Sequence, residues 1–257
     1  MAGPEKEMSF WGHLDELRKV LFRMILVLVV AMFVAFAFKE PVFRIILAPC
    51  KPDFFFYGWL SKLAALINSD SVSQFSLDLI NIELASQFFV HLRVSMLLAV
   101  VLTAPLLVYF LWTFVAPALY KNEKRAIKGA FSFAAILFYL GVAVGYCIIF
   151  PLTIRFLGTY QVSSDIPNQI SLTSYIGMFI GLILVMGIVF ELPVLASILN
   201  RIGVLPKSVL KRYRRHALVV LMILAAIITP SGDIFTLMVV TCPLYLLYEF
   251  SILICKN

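Results

Sequence analysis

Residues 94–120, VSMLLAVVLTAPLLVYFLWTFVAPALY, contain no charged side chain. As a helix rising about 1.5 Å per residue, such a stretch outreaches the roughly 30 Å hydrocarbon thickness of a bilayer. Working outward from it, further uncharged runs occupy 24–38, 129–154, 166–190, 216–232 and 234–248. The 257-residue chain is 62% hydrophobic and only 14% charged, against about 45–50% and about 25% in soluble domains. So few polar residues could not clothe a soluble core, which excludes a cytosolic enzyme, a disordered chain and a disulfide scaffold. The runs also lack the alternation of barrel strands. The sequence therefore predicts an all-α integral membrane protein, a single polytopic domain over 1–257. Its six transmembrane helices fall at about 21–38, 94–114, 129–150, 172–192, 216–230 and 234–250, with a large outer loop at 39–92. Helices five and six are short, separated only by Thr229-Pro-Ser-Gly-Asp233.

Loop charges orient the spans. Cations gather at the amino end (Lys6, Arg18, Lys19, Arg23), in the 114–128 connection (Lys121, Lys124, Arg125, Lys128) and in the 192–215 connection, six there from Arg201 to Arg215. The alternate loops are poor in them: 151–172 holds Arg155 alone, and the five cations of 39–93 are offset by five acids. The positive-inside rule then places both termini in the cytoplasm. The formal charge of +7 belongs to these membrane edges and to lipid head groups rather than to nucleic acid. Ala35-Phe36-Ala37 mimics a signal-peptidase site, but the preceding region holds four carboxylates, and retaining helix one makes the span count even. The widely spaced Cys50, Cys147, Cys242 and Cys255 read as small apolar fillers.

Four patches carry information beyond the apolar background. In His13-Leu-Asp-Glu-Leu-Arg-Lys-Val-Leu21, the leucines 14, 17 and 21 form one stripe while Glu16 sits a turn before Lys19. By local chemistry this is an interfacial lead-in whose charges pair among themselves. In Phe114-Val-Ala-Pro-Ala-Leu-Tyr-Lys-Asn-Glu-Lys-Arg125, Pro117 should end the second helix, and Glu123 is the one acid among four cations. Two readings stand open there: a surface carboxylate neutralised by its neighbours, or a receptor for a cationic ligand with Phe114 and Tyr120 as walls. Glu191 of Phe190-Glu-Leu-Pro193 follows 25 uncharged residues. An acid at that depth is either functional or a polar tie within its own bundle. Asp233 caps helix six by the simplest reading.

Catalytic patterns are missing: no H-E-x-x-H, no G-x-S-x-G, no glycine-rich nucleotide loop. His13, His91 and His216 have no metal-ligand spacing. The expectation is no enzyme, no cofactor and no metal.

Taken in order, Leu14-Asp-Glu-Leu-Arg-Lys19, Ala48-Pro49, Ala104-Pro105, the Phe114–Arg125 segment, Phe150-Pro151, Phe190-Glu-Leu-Pro193 and Thr229-Pro230 resemble the TatC family. That family is the multispanning receptor of the twin-arginine protein translocase. The resemblance implies a concave bundle in the bacterial cytoplasmic membrane that binds Arg-Arg signal peptides of folded cargo, powered by the proton-motive force. It implies that Glu16 and Glu123 meet the paired arginines, with Arg18 and Phe114 in the same patch. It implies that Glu191 lines a face where TatA- and TatB-like single-span partners dock, beside other copies of the chain. Pro49 and Asp233 match functional positions of the periplasmic side. The alternative is a proton-coupled secondary transporter using Glu191; no second F-E-x-P-like segment supplies the repeat such transporters show.

Overall fold

In a computed structural model, the structure describes residues 10–66, 75–115, 121–163, 165–228 and 234–255. The fold is helical. The first long helix, α1 (Phe10–Ala37), is followed by α2 (Lys39–Ile46), a 3-10 turn at Ala48–Cys50 and α3 (Phe55–Leu66). Next come β1 (Leu79–Ile80), α4 (Ser86–Val115), α5 (Lys121–Val144), a π turn at Gly145–Ile149 and α6 (Phe150–Thr159). The chain continues through β2 (Ile170–Ser171), α7 (Leu172–Val189), α8 (Leu192–Arg201), α9 (Lys207–Arg212), α10 (Arg214–Ile228) and α11 (Ile234–Ile254). Among the described residues, five helical stretches are long and apolar enough to cross a membrane: Trp11–Ala37, Ser86–Phe114, Phe133–Thr159, Leu172–Arg201 and Ile234–Ile254. The fifth expected span coincides with α10, whose 15 residues reach only about 22 Å.

Several elements outrun their sequence expectations, each for a local reason. The third stretch continues to Thr159 despite Pro151. A π turn absorbs the proline, Phe150 N–H reaching back five residues to Gly145 O. The last helix continues to Ile254, carrying Glu249 within it because Arg214 neutralises that carboxylate at 2.8 Å. The fourth stretch breaks instead of continuing. Pro193 has no N–H and its ring would strike the carbonyl of Val189, so α7 stops at Val189 and α8 starts afresh with Pro193 in its first turn. Gly203, at φ 83°, then closes α8, which ends with Val204 N–H bonded to Leu199 O.

α4 is the hub, flanked by α1, α5 and α7, while α8 lies against α5 and α11. Where α6 and α7 meet, Phe150 is fully buried with its ring edge-on to Tyr175 and Phe179, centroids 5.1 and 5.0 Å away. Between helices in lipid there is no hydrophobic gain, so such van der Waals contact and hydrogen bonding carry the association. By contrast α1 turns Phe22 and Phe33 outward, the face expected towards lipid.

The loop after α1 is pinned by tyrosines. Tyr175 and Tyr146 donate to the carbonyls of Ile46 and Ile45, both at 2.7 Å, and Tyr57 donates to Pro49 O at 2.8 Å. These carbonyls end α2 or follow it, where intrahelical donors run out. A parallel pairing of Leu79 with Ile170 and Ile80 with Ser171 adds a second tie, which sequence reading did not foresee. Tyr175→Phe should therefore cost about 1–3 kcal/mol, since a buried carbonyl loses its donor. The half-exposed Tyr146→Phe should cost less. Thermal unfolding in detergent reads both, and equal midpoints would remove this tie from the account.

Candidate functional site

Among the described residues, the candidate acids fall at two places in the apolar bundle. The first lies where the start of α1 meets the end of α4. The His13 ring stacks on Phe114 with centroids 4.5 Å apart and planes inclined by 23°. Glu16, one turn further along α1 on the same side, is half-buried, and its Oε1 accepts from Lys19 Nζ at 2.9 Å. This is the local pair the spacing predicted, and as a solvent-screened i,i+3 pair it contributes little. An incoming guanidinium that bonds both carboxylate oxygens would outcompete it. Arg18 projects outward, exposed. Glu123 belongs to the first turn of α5; its side chain, with Pro117 and Tyr120, lies outside the described residues.

The second place is the α7–α8 break. Glu191 occupies the position ahead of α8, and its main-chain carbonyl receives Leu195 N–H at 2.9 Å. Its side chain enters a groove of about 310 Å³ between α4, α5 and α8, otherwise walled by apolar residues such as Val100, Leu107, Phe138 and Val194. Oε1 of Glu191 is buried there without a hydrogen-bonding partner. A polar atom without a partner in an apolar groove is unusual in a finished interior.

Close to this groove, α5 and α7 approach each other tightly. A Cβ placed on Gly141 of α5 would stand 2.4 Å from Met186 O and 2.8 Å from Phe190 Cβ. Because the nearest atom is backbone, no rotamer change relieves the clash. Gly141→Ala should force α5 from α7 beside Glu191 and cost about 2 kcal/mol, whereas Gly177→Ala, with open space around it, should be neutral. Thermal midpoints in detergent compare the two; equal midpoints would contradict the close approach.

Pro49 is buried within the 3-10 turn after α2 and its carbonyl is held by Tyr57. Its neighbour Cys50 is also buried, and that burial pushes its thiol up, away from thiolate chemistry. Asp233 lies outside the described residues. Sequence reading missed the His13–Phe114 stack, the Gly141 contact and the ion pair that Glu249 makes with Arg214, with Tyr245 donating to the other oxygen at 3.1 Å. A tyrosine inside an apolar run was the available signal for the loop ties, because its hydroxyl must find a partner.

The architecture is that of a multi-pass helical membrane protein with one candidate acid at a helix end and another in an apolar groove. The comparisons with known proteins agree. A family model, Sec-independent protein translocase protein (TatC), matches residues 12–243. The chain belongs to the TatC family. It is 36% identical over 259 residues to the Sec-independent protein translocase protein TatC of Blattabacterium sp. subsp. Periplaneta americana, covering 99% of this chain and 97% of that one. It is 35% identical over 245 residues to the TatC of Helicobacter pylori strain 26695, covering 95% and 86%. Two crystal structures of a twin-arginine translocase receptor, TatC, superpose with TM-scores of 0.73 and 0.76 at 29% identity. They cover 95% of this chain and 98% and 100% of theirs. The family's role is protein transport rather than catalysis, and nothing among these relatives favours the small-solute transporter alternative.

Proposed function

We propose that this chain is the receptor subunit of a twin-arginine translocase. It binds Arg-Arg signal peptides of folded cargo at its cytoplasmic face and assembles with TatA- and TatB-like single-span proteins and further copies of itself. Export across the bacterial cytoplasmic membrane is driven by the proton-motive force. The single observation that carries this reading is the stack of His13 on Phe114, which brings the start of α1, the segment that also carries Glu16, against the end of α4. Glu16 and Glu123 receive the guanidinium groups, each through two parallel charge-assisted bonds that an ammonium cannot copy. Phe114 supplies an apolar wall, and Arg18, exposed on another face of α1, joins the site only through parts of the peptide that run past that face.

Six spans with both termini in the cytoplasm put this patch on the side where cargo is made, in keeping with the basic connections at 114–128 and 192–215. Short α10 is the fifth span, sheltered by α11, which packs along it. Glu191 is the docking point for a polar side chain of a single-span partner. Pro49, and with it Asp233, acts on the periplasmic side, where the tied loop forms a cap.

The test is binding of a fluorescent Arg-Arg signal peptide to the detergent-purified protein beside its Lys-Lys variant. Tight binding that falls sharply for Lys-Lys is expected. Equal binding of the two would reduce the interaction to generic electrostatics and remove the receptor mechanism.

A further inference from the structure

We infer that His13 is a positioning residue of the signal-peptide site: its stack on Phe114 clamps the limb of α1 that carries Glu16 against the end of α4. The inference rests on the receptor reading above and goes beyond it, because His13 need not touch the peptide. His13, Glu16 and Val20 recur at helical spacing on one stripe of α1. Val20 is buried, which identifies the stripe as the one facing the bundle. Glu16 lies on the same side, half-buried, while Arg18 points away, exposed. The imidazole therefore holds the limb about two turns beyond the first fully buried side chain of α1 among the described residues.

The consequence concerns a ligand with two adjacent cations. One carboxylate belongs to α1 and the other to α5, so a peptide that uses both needs the two elements held in register. A clamped limb makes the second contact without first being ordered. An unclamped limb must be ordered at that moment, and the cost subtracts from the second contact alone. A ligand that engages one limb does not bear it. The stack needs a flat aromatic ring and no particular charge, so phenylalanine should serve in place of histidine.

The experiment uses the full-length protein in detergent with four fluorescent peptides carrying Arg-Arg, Lys-Arg, Arg-Lys and Lys-Lys. In the unaltered protein the two Arg→Lys penalties should add. In His13→Ala the Arg-Arg peptide should lose about tenfold in affinity, the upper range of one aromatic pair, while the singly substituted peptides lose less than about threefold. His13→Phe should restore the unaltered pattern. A uniform loss across all four peptides would overturn the inference, because that is the mark of general damage. So would a His13→Phe protein as weak as His13→Ala, or a His13→Ala protein indistinguishable from the original. Failure of the unaltered protein to prefer Arg-Arg over Lys-Lys is a different result: it removes the receptor reading itself, and this inference with it.

Discussion

Glu123→Ala is expected to weaken binding of an Arg-Arg signal peptide about thirtyfold, with helical content and thermal midpoint unchanged. Thirtyfold is about 2 kcal/mol, within the range of about 1.5–3 kcal/mol that one hydrogen bond to a charged group contributes net; the paired geometry adds selectivity for arginine. The effect is enlarged by the surroundings. Glu123 is the one acid of a connection that also holds Lys121, Lys124, Arg125 and Lys128, so its loss leaves a cationic surface facing a cationic ligand. Glu123→Gln keeps an acceptor but not the charge and should fall between. Fluorescence anisotropy of the labelled peptide checks all three proteins, and an unchanged affinity for Glu123→Ala would take this residue out of the site. The Lys-Lys peptide should lose much less, since it never gains the paired bonds.

The second large effect is expected at the groove. Glu191→Ala should leave peptide affinity intact yet reduce co-purification of single-span partners about tenfold, the scale of one intramembrane hydrogen bond of about 1–2 kcal/mol. Oε1 of Glu191 has no hydrogen-bonding partner among the described residues, so the thermal midpoint of Glu191→Ala, measured beside co-purification, separates loss of docking from loss of fold. Glu191→Gln retains a hydrogen-bonding head group of the same size and should keep most of the docking. Undiminished co-purification with Glu191→Ala would dissociate the groove from partner assembly. The same variant separates the two polar places: peptide affinity reads the α1–α4 end, and co-purification reads the α7–α8 break.

Much of this architecture was legible without coordinates, and the reason is the solvent. Lipid forbids unpaired backbone groups, so uncharged runs had to be helices and their lengths were countable. The family motifs were also visible in order along the chain, which is why Glu16, Phe114, Glu123 and Glu191 could be named as candidates. Helix ends were less legible. The run containing Pro151 continues because a π turn shifts the hydrogen-bond register, whereas the run containing Pro193 stops. The two prolines look alike in a one-dimensional pattern, and the packing around each decides between absorbing it and breaking at it.

By itself, then, the sequence determined the class, the helical composition and the identity of the polar residues, since these follow from hydropathy, charge and local spacing. Which polar residues stand together was decided only in three dimensions. His13 meets Phe114, three tyrosine hydroxyls close over the loop at Ile45–Pro49, and Arg214 neutralises Glu249. Gly141 lets α5 and α7 touch beside Glu191. Each of these contacts joins residues from different helices, and their meeting depends on crossing angles and close approach that no single helix encodes.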